Sequence, residues 1–135
     1  MKRLHAHIFV KDIEQSTHFY NELFAEQPSL IKADYIRWEL SDPPMNFAIS
    51  NYGKPGIDHL GIQSESDEAL NKMVGDISLT EQAPAESSCC YARSSKTWLS
   101  DPQGIQWELY HTHTNDLTDH DAQPTGCCPT SGCSG

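Results

Sequence analysis

His5, His59 and Glu108 sit in segments with strand-like alternation, and their side chains are of the types that hold a divalent ion through two imidazole nitrogens and a carboxylate. Aimed at one point, such a set leaves open positions on the ion and suits non-heme Fe(II) and oxygen, with other divalent metals also accommodated. His7 lies two residues from His5, so strand alternation puts both on one face about 6.6 Å apart. Only one of them then reaches a given ion, and the sequence leaves open which. His111 and His113 form a second His-x-His pair, read as an exposed strand end. The five cysteines are an odd number, arranged as Cys89-Cys90, Cys127-Cys128 and Cys133, which suggests thiol or metal chemistry more than a disulfide framework.

Elements must bring these residues together, and the order of elements is legible. Leu4 to Val10 reads as a strand, and Asp12 with Gln15 three positions later opens a helix carrying Ile13, Thr17, Tyr20, Leu23 and Phe24 on one face. Tyr35 to Leu40 and Met45 to Ser50 read as strands around a Pro turn. After a hinge near Gly53 and Gly56, the pattern starts again with a strand from Ile57 to Gln63 and a helix capped by Ser66 and running to about Asp76. Glu86-Ser87-Ser88 reads as a loop leading to Cys89 and Cys90 at a strand start or bend, and Lys96–Ser100 and Ile105–Tyr110 read as paired strands. Ser41-Asp42-Pro43 in the first half matches Ser100-Asp101-Pro102 in the second, and His5 and His59 each stand on the opening strand of a half. Two βαβββ modules, neither with enough apolar surface to close a core alone, therefore pair into one curved mixed sheet of α+β class.

Aligning the two Ser-Asp-Pro turns sets Ile49 opposite Glu108, and no acidic residue lies between Pro43 and Ile57. The first half thus lacks a carboxylate that would complete a four-ligand site. The expected domain covers 1–113, with modules 1–52 and 57–113. From Thr112 the composition turns to Thr, Asp, Pro, Gly, Ser and Cys, so 114–135 is expected to be a flexible Cys-rich tail.

The chain has 135 residues, 19 acidic against nine basic side chains and a formal charge of −10. That charge argues against nucleic acid as a partner, although Arg37, Lys54, Arg93 or Lys96 could attract an anionic substrate locally. No apolar run approaches the roughly 20 residues of a membrane span, and the N-terminus passes straight into a strand pattern without an export signal. The expectation is a cytoplasmic protein with no membrane partner and reduced thiols.

His5, Val10, Asp12 and Phe19-Tyr20, then Asp58-His59-Leu60-Gly61, then Asp101-Pro102-Gln103-Gly104 with Trp107-Glu108, resemble the glyoxalase/bleomycin resistance/extradiol dioxygenase, or vicinal oxygen chelate, superfamily. A narrower resemblance, carried by residues 42–50, 53–61 and Cys89-Cys90-Tyr91-Ala92, is to its carbon-arsenic lyase and cadmium-induced branch. That resemblance implies an Fe(II)-dependent dioxygenase cleaving the carbon-arsenic bond of trivalent methyl or aryl arsenicals with O2. It implies metal ligands at His5, His59 and Glu108, with Glu108 also catalytic, substrate thiols at Cys89 and Cys90, and a homodimer. Trivalent arsenic is soft and thiophilic, so two thiols hold it while nitrogen and oxygen donors keep the iron. The competing readings are a glyoxalase-like isomerase or lyase, which the missing fourth carboxylate disfavours, a non-catalytic cadmium or arsenic binder working through its thiols, and a phosphonate-antibiotic transferase, which would need a cationic pocket.

Overall fold

A computed structural model describes residues 1–78, 84–89 and 91–115. The elements are β1 (Arg3–Phe9), α1 (Ile13–Phe24), β2 (Leu30–Ile31), β3 (Tyr35–Ser41), β4 (Pro44–Ser50), β5 (Gly56–Gln63), α2 (Asp67–Asp76), β6 (Ala85–Cys89), β7 (Ala92–Ser100) and β8 (Gln106–Asn115). They form one sheet in the order β2-β3-β4-β1-β5-β8-β7-β6. At its centre β1 and β5 run antiparallel, each pairs in parallel with the last strand of its own half, and each half ends in an antiparallel hairpin. These are the two βαβββ modules expected from the repeat.

Strand alternation divides the sheet into two chemically different faces. On one face Ile36, Trp38, Leu40, Phe47 and Ile49 form a core with Val10, against which Ile13, Tyr20 and Phe24 of α1 pack. Leu109 meets Leu70 and Val74 of α2 on the same face of the second half. The opposite face is polar and curls into a cup. The curl is visible where Tyr91, after β6, donates to Asp34 Oδ1 at 2.6 Å and sets its ring 5.7 Å from that of Tyr35, although Asp34 and Tyr35 follow β2, and β2 and β6 are the two ends of the strand order.

Both helices start where the capping residues predict. Asp12 accepts from the Gln15 backbone N–H at 2.9 Å and Ser66 from that of Ala69 at 3.0 Å, each satisfying a donor the helix leaves open. Leu23 does not join the packed face of α1 and is 62% exposed, because the stripe in contact runs through Ile13, Tyr20 and Phe24. Glu86, Ser87 and Ser88, expected in a loop, instead lie in β6 and pair with Ser95, Ser94 and Arg93. Serine and glutamate carry little strand preference of their own, and that pairing with β7 has no local signature. β7 starts at Ala92 rather than Lys96, and β8 passes the expected boundary at 113 to reach Asn115. Of the expected tail at 114–135, residues 116–135, with Cys127, Cys128 and Cys133, lie outside the described residues, as does Cys90. Among the described residues no helix is long and apolar enough to cross a membrane.

Candidate metal centre

One row of paired residues crosses the polar face from β3 to β7: Glu39, Asn46, His5, Gly61, Glu108 and Trp98. His5 and Glu108 flank Gly61 in this row, and their side chains meet where a side chain on residue 61 would stand. A Cβ built on Gly61 would fall 2.5 Å from the Glu108 carbonyl oxygen and 3.2 Å from its Cβ. Glycine is what lets the two strands bring these groups together. His59, two residues earlier on the same face of β5, enters from the side.

The three donor atoms converge. His5 Nε2 lies 3.1 Å from His59 Nε2 and 3.6 Å from Glu108 Oε1, and His59 Nε2 lies 3.7 Å from that same oxygen. Donors about 2.1 Å from one ion are about 3.0 Å apart at octahedral and about 3.4 Å apart at tetrahedral angles, so the observed separations suit single-ion ligation. His5, His59 and Glu108 are all buried.

Each donor is oriented from behind. His5 Nδ1–H donates to the Asn46 carbonyl at 3.1 Å, which leaves its Nε2 lone pair facing the centre. His59 Nδ1–H donates to Asp58 Oδ2 at 2.7 Å. Glu108 gives its second oxygen, Oε2, to the Lys96 ammonium at 2.5 Å, and both side chains are buried. Burial alone would lower the His59 pKa, but the carboxylates of Asp58 and Glu108 outweigh it and lift it to about 9. Burial dominates at His5 and pushes it down to about 4, against the pull of Glu108. Burial would raise Glu108, but Lys96 and His59 hold it well below the usual carboxylate range. At neutral pH the metal-free site therefore holds a proton on His59 Nε2, shared toward the His5 lone pair, at the place where a cation satisfies all three donors.

His7 faces the same side, yet it does not join this set. Its Nε2 bonds Ser50 Oγ at 2.8 Å, and its Nδ1 lies 3.6 Å from Asp58 Oδ2, behind His59. His7, Asp58 and His59 form a second compact group of donors, but the Asp58 oxygen in it is already bonded to His59 Nδ1. His111 and His113 point to the helix side, to the Ser64 carbonyl and the Asp67 carboxylate. Cys89 ends β6, paired with Ala92, and Ala92 lines the cup beside Tyr35, His5 and Glu108.

The residue opposite Glu108 in the first half is not Ile49, which points into the helix-side core. The two hairpins differ in length: Ser41 pairs with Pro44 across two residues, whereas Ser100 pairs with Gln106 across five. An odd difference reverses the face on which every later side chain emerges. Counting from the paired ends, Asn46 answers to Glu108. It is an amide, bonded to Arg3, Gln63 and Tyr110. At the position that answers to Glu108 the first module therefore still supplies no carboxylate. Sequence reasoning gave no role to Asp58, and it saw Lys96 only as a local cation; the pairing of β7 with β8 brings Lys96 to Glu108.

No family model matches the chain. It is 32% identical over 135 residues to a trivalent organoarsenical cleaving enzyme of Bacillus sp. (strain MD1), covering 95% of this chain and 83% of the relative. It is 29% identical over 115 residues to the cadmium-induced protein CadI of Mycobacterium bovis, covering 82% and 76%. Among solved structures, the fold is similar to an extradiol ring-cleaving dioxygenase from B. fuscum, with a TM-score of 0.61 and 14% identity over 83% of this chain and 33% of that one. A Mn(II)-bound glyoxalase from Novosphingobium aromaticivorans matches with a TM-score of 0.57 and 16% identity over 88% and 44%.

Proposed function

The chain belongs to the branch of the vicinal oxygen chelate superfamily that contains the trivalent organoarsenical cleaving enzymes, and from that premise we propose that it is an Fe(II)-dependent dioxygenase cleaving the carbon-arsenic bond of trivalent organoarsenicals. The observation that carries the reading is the convergence of His5 Nε2, His59 Nε2 and Glu108 Oε1 on one buried point, with the amide Asn46, not a carboxylate, at the position that answers to Glu108 in the first module.

These three atoms would hold the ion. When bound, Fe(II) supplies the electrons and open coordination positions that let molecular oxygen react. The chain's own residues do the rest. Asn46 and Asp58 fix the tautomers of His5 and His59, so both present Nε2. Lys96 keeps one Glu108 oxygen occupied, leaving Oε1 for the centre. Burial removes competing water, and Cys89 and Cys90 hold arsenic as thiolates, with the carbon-arsenic bond turned toward the centre. Glu108 serves both as ligand and as the carboxylate nearest the reacting bond. The protein works in the cytoplasm, where its thiols stay reduced, and assembles as a homodimer.

The test separates the two centres. Cys89→Ser and Cys90→Ser are expected to abolish arsenite release while the chain retains its iron, whereas His59→Ala and Glu108→Ala lose the iron itself. Undiminished arsenite release from the cysteine variants would contradict the reading.

A further inference from the structure

The cup carries a second buried cation that the metal centre does not use. Arg37 on β3 is 8% exposed and lines the same cavity as His5, His59 and Glu108. It pairs with Ala48 of β4, which in turn pairs with His7, so its place in the sheet is on the cavity face, across a residue that extends only a methyl. Its Nε is buried with no hydrogen-bond partner among the described residues. Glu39 Oε1, on a side chain 41% exposed, forms an ion pair with it at 3.4 Å, without making a hydrogen bond to it. The other buried cation of the cavity, Lys96, is committed to Glu108.

A buried guanidinium N–H that its ion-pair partner leaves without a hydrogen bond is costly, and it becomes favourable when a ligand supplies the acceptor. The guanidinium fork matches a carboxylate oxygen pair. The chain's overall charge of −10 gives no long-range attraction to an anion, so selection of one has to be made by contact. Lys96 and Glu108 offset each other, which leaves Glu39, half-exposed, as the opposing charge beside Arg37.

We propose that Arg37 binds an anionic group on the organic part of the arsenical, so that the preferred substrates are aryl arsenicals carrying an acidic substituent rather than unsubstituted methyl or phenyl compounds. The proposal rests on the cleavage reading for the identity of the arsenic-bearing ligand. It is tested by binding, without turnover.

The full chain, loaded with Fe(II) and kept anaerobic, is titrated in a calorimeter with trivalent phenyl and 4-carboxyphenyl arsenicals. The carboxylated compound is expected to bind at least about tenfold more tightly, the scale of one charge-assisted pair. Arg37→Met erases that difference and leaves phenyl binding unchanged, and Glu39→Gln, which removes the opposing charge, widens it. Equal affinities in the unaltered chain, or a preference that survives Arg37→Met, would overturn the proposal. If Arg37→Met does not fold, Glu39→Gln decides: a wider preference supports the site, and an unchanged or narrower one overturns it. A binding preference with no arsenite released on later admission of air supports the Arg37 site and contradicts the cleavage reading.

Discussion

Gly61 lies so close to Glu108 that a Cβ there would stand 2.5 Å from the Glu108 carbonyl oxygen. The obstacle is backbone in the middle of a parallel strand pair, and it cannot swing aside as a flexible side chain would. Gly61→Ala must therefore spread β5 from β8 and move Glu108 relative to His5 and His59. We expect a loss of about 1–3 kcal/mol in stability together with a fall in iron affinity, measured by thermal melting and by metal titration. Unaltered metal affinity would show that the close approach does not position the site.

Lys96 and Glu108 form a buried pair, so removing one charge strands the other. Lys96→Met is expected to destabilise the metal-free protein by about 3 kcal/mol. Added divalent metal should recover most of that loss, because the ion replaces the missing positive charge beside Glu108. Denaturant unfolding with and without metal checks this, and equal losses in the two conditions would refute it.

His5 and His7 were indistinguishable in the sequence, because both fall on the same face of one strand. The structure separates them by what lies behind each ring: the Asn46 carbonyl turns His5 Nε2 to the centre, whereas Ser50 occupies His7 Nε2. His5→Ala is expected to abolish iron loading. His7→Ala should retain the iron and cost about 1–3 kcal/mol of stability by leaving Ser50 unpartnered. Metal content after gel filtration distinguishes the two variants.

How legible the molecule was in its sequence depended on how local each signal is. The caps at Asp12 and Ser66 are three-residue patterns and could be read directly. The repeat could be read too, because His5 and His59 open matching strands. Ile49 was misplaced because a two-residue and a five-residue hairpin connection look alike at Ser-Asp-Pro, and the difference of three reverses the face. β6 was invisible because its strand character comes from pairing with β7. The Lys96–Glu108 contact spans a register that no single segment encodes.

His59, lifted to about 9 in the metal-free fold from an ordinary value of 6.5, makes a signed prediction about pH. A raised value means that the folded state holds the proton more tightly. The stability this contributes is complete below pH 6.5 and is lost as pH rises through about 9. His59→Gln should flatten that arm of the metal-free stability profile. Metal must also displace the proton, so apparent iron affinity should rise about tenfold from pH 7 to pH 8, with proton release on binding. Metal titration in buffers of different ionisation heat reads both.

Arsenite release is the most direct measure of the central claim. The unaltered chain is loaded with Fe(II) without oxygen, given a trivalent methyl or phenyl arsenical, and then exposed to air while free arsenite is quantified. The account predicts arsenite after air is admitted and none while oxygen is withheld. A chain that keeps its iron and binds the arsenical, yet releases no arsenite in air, would contradict it.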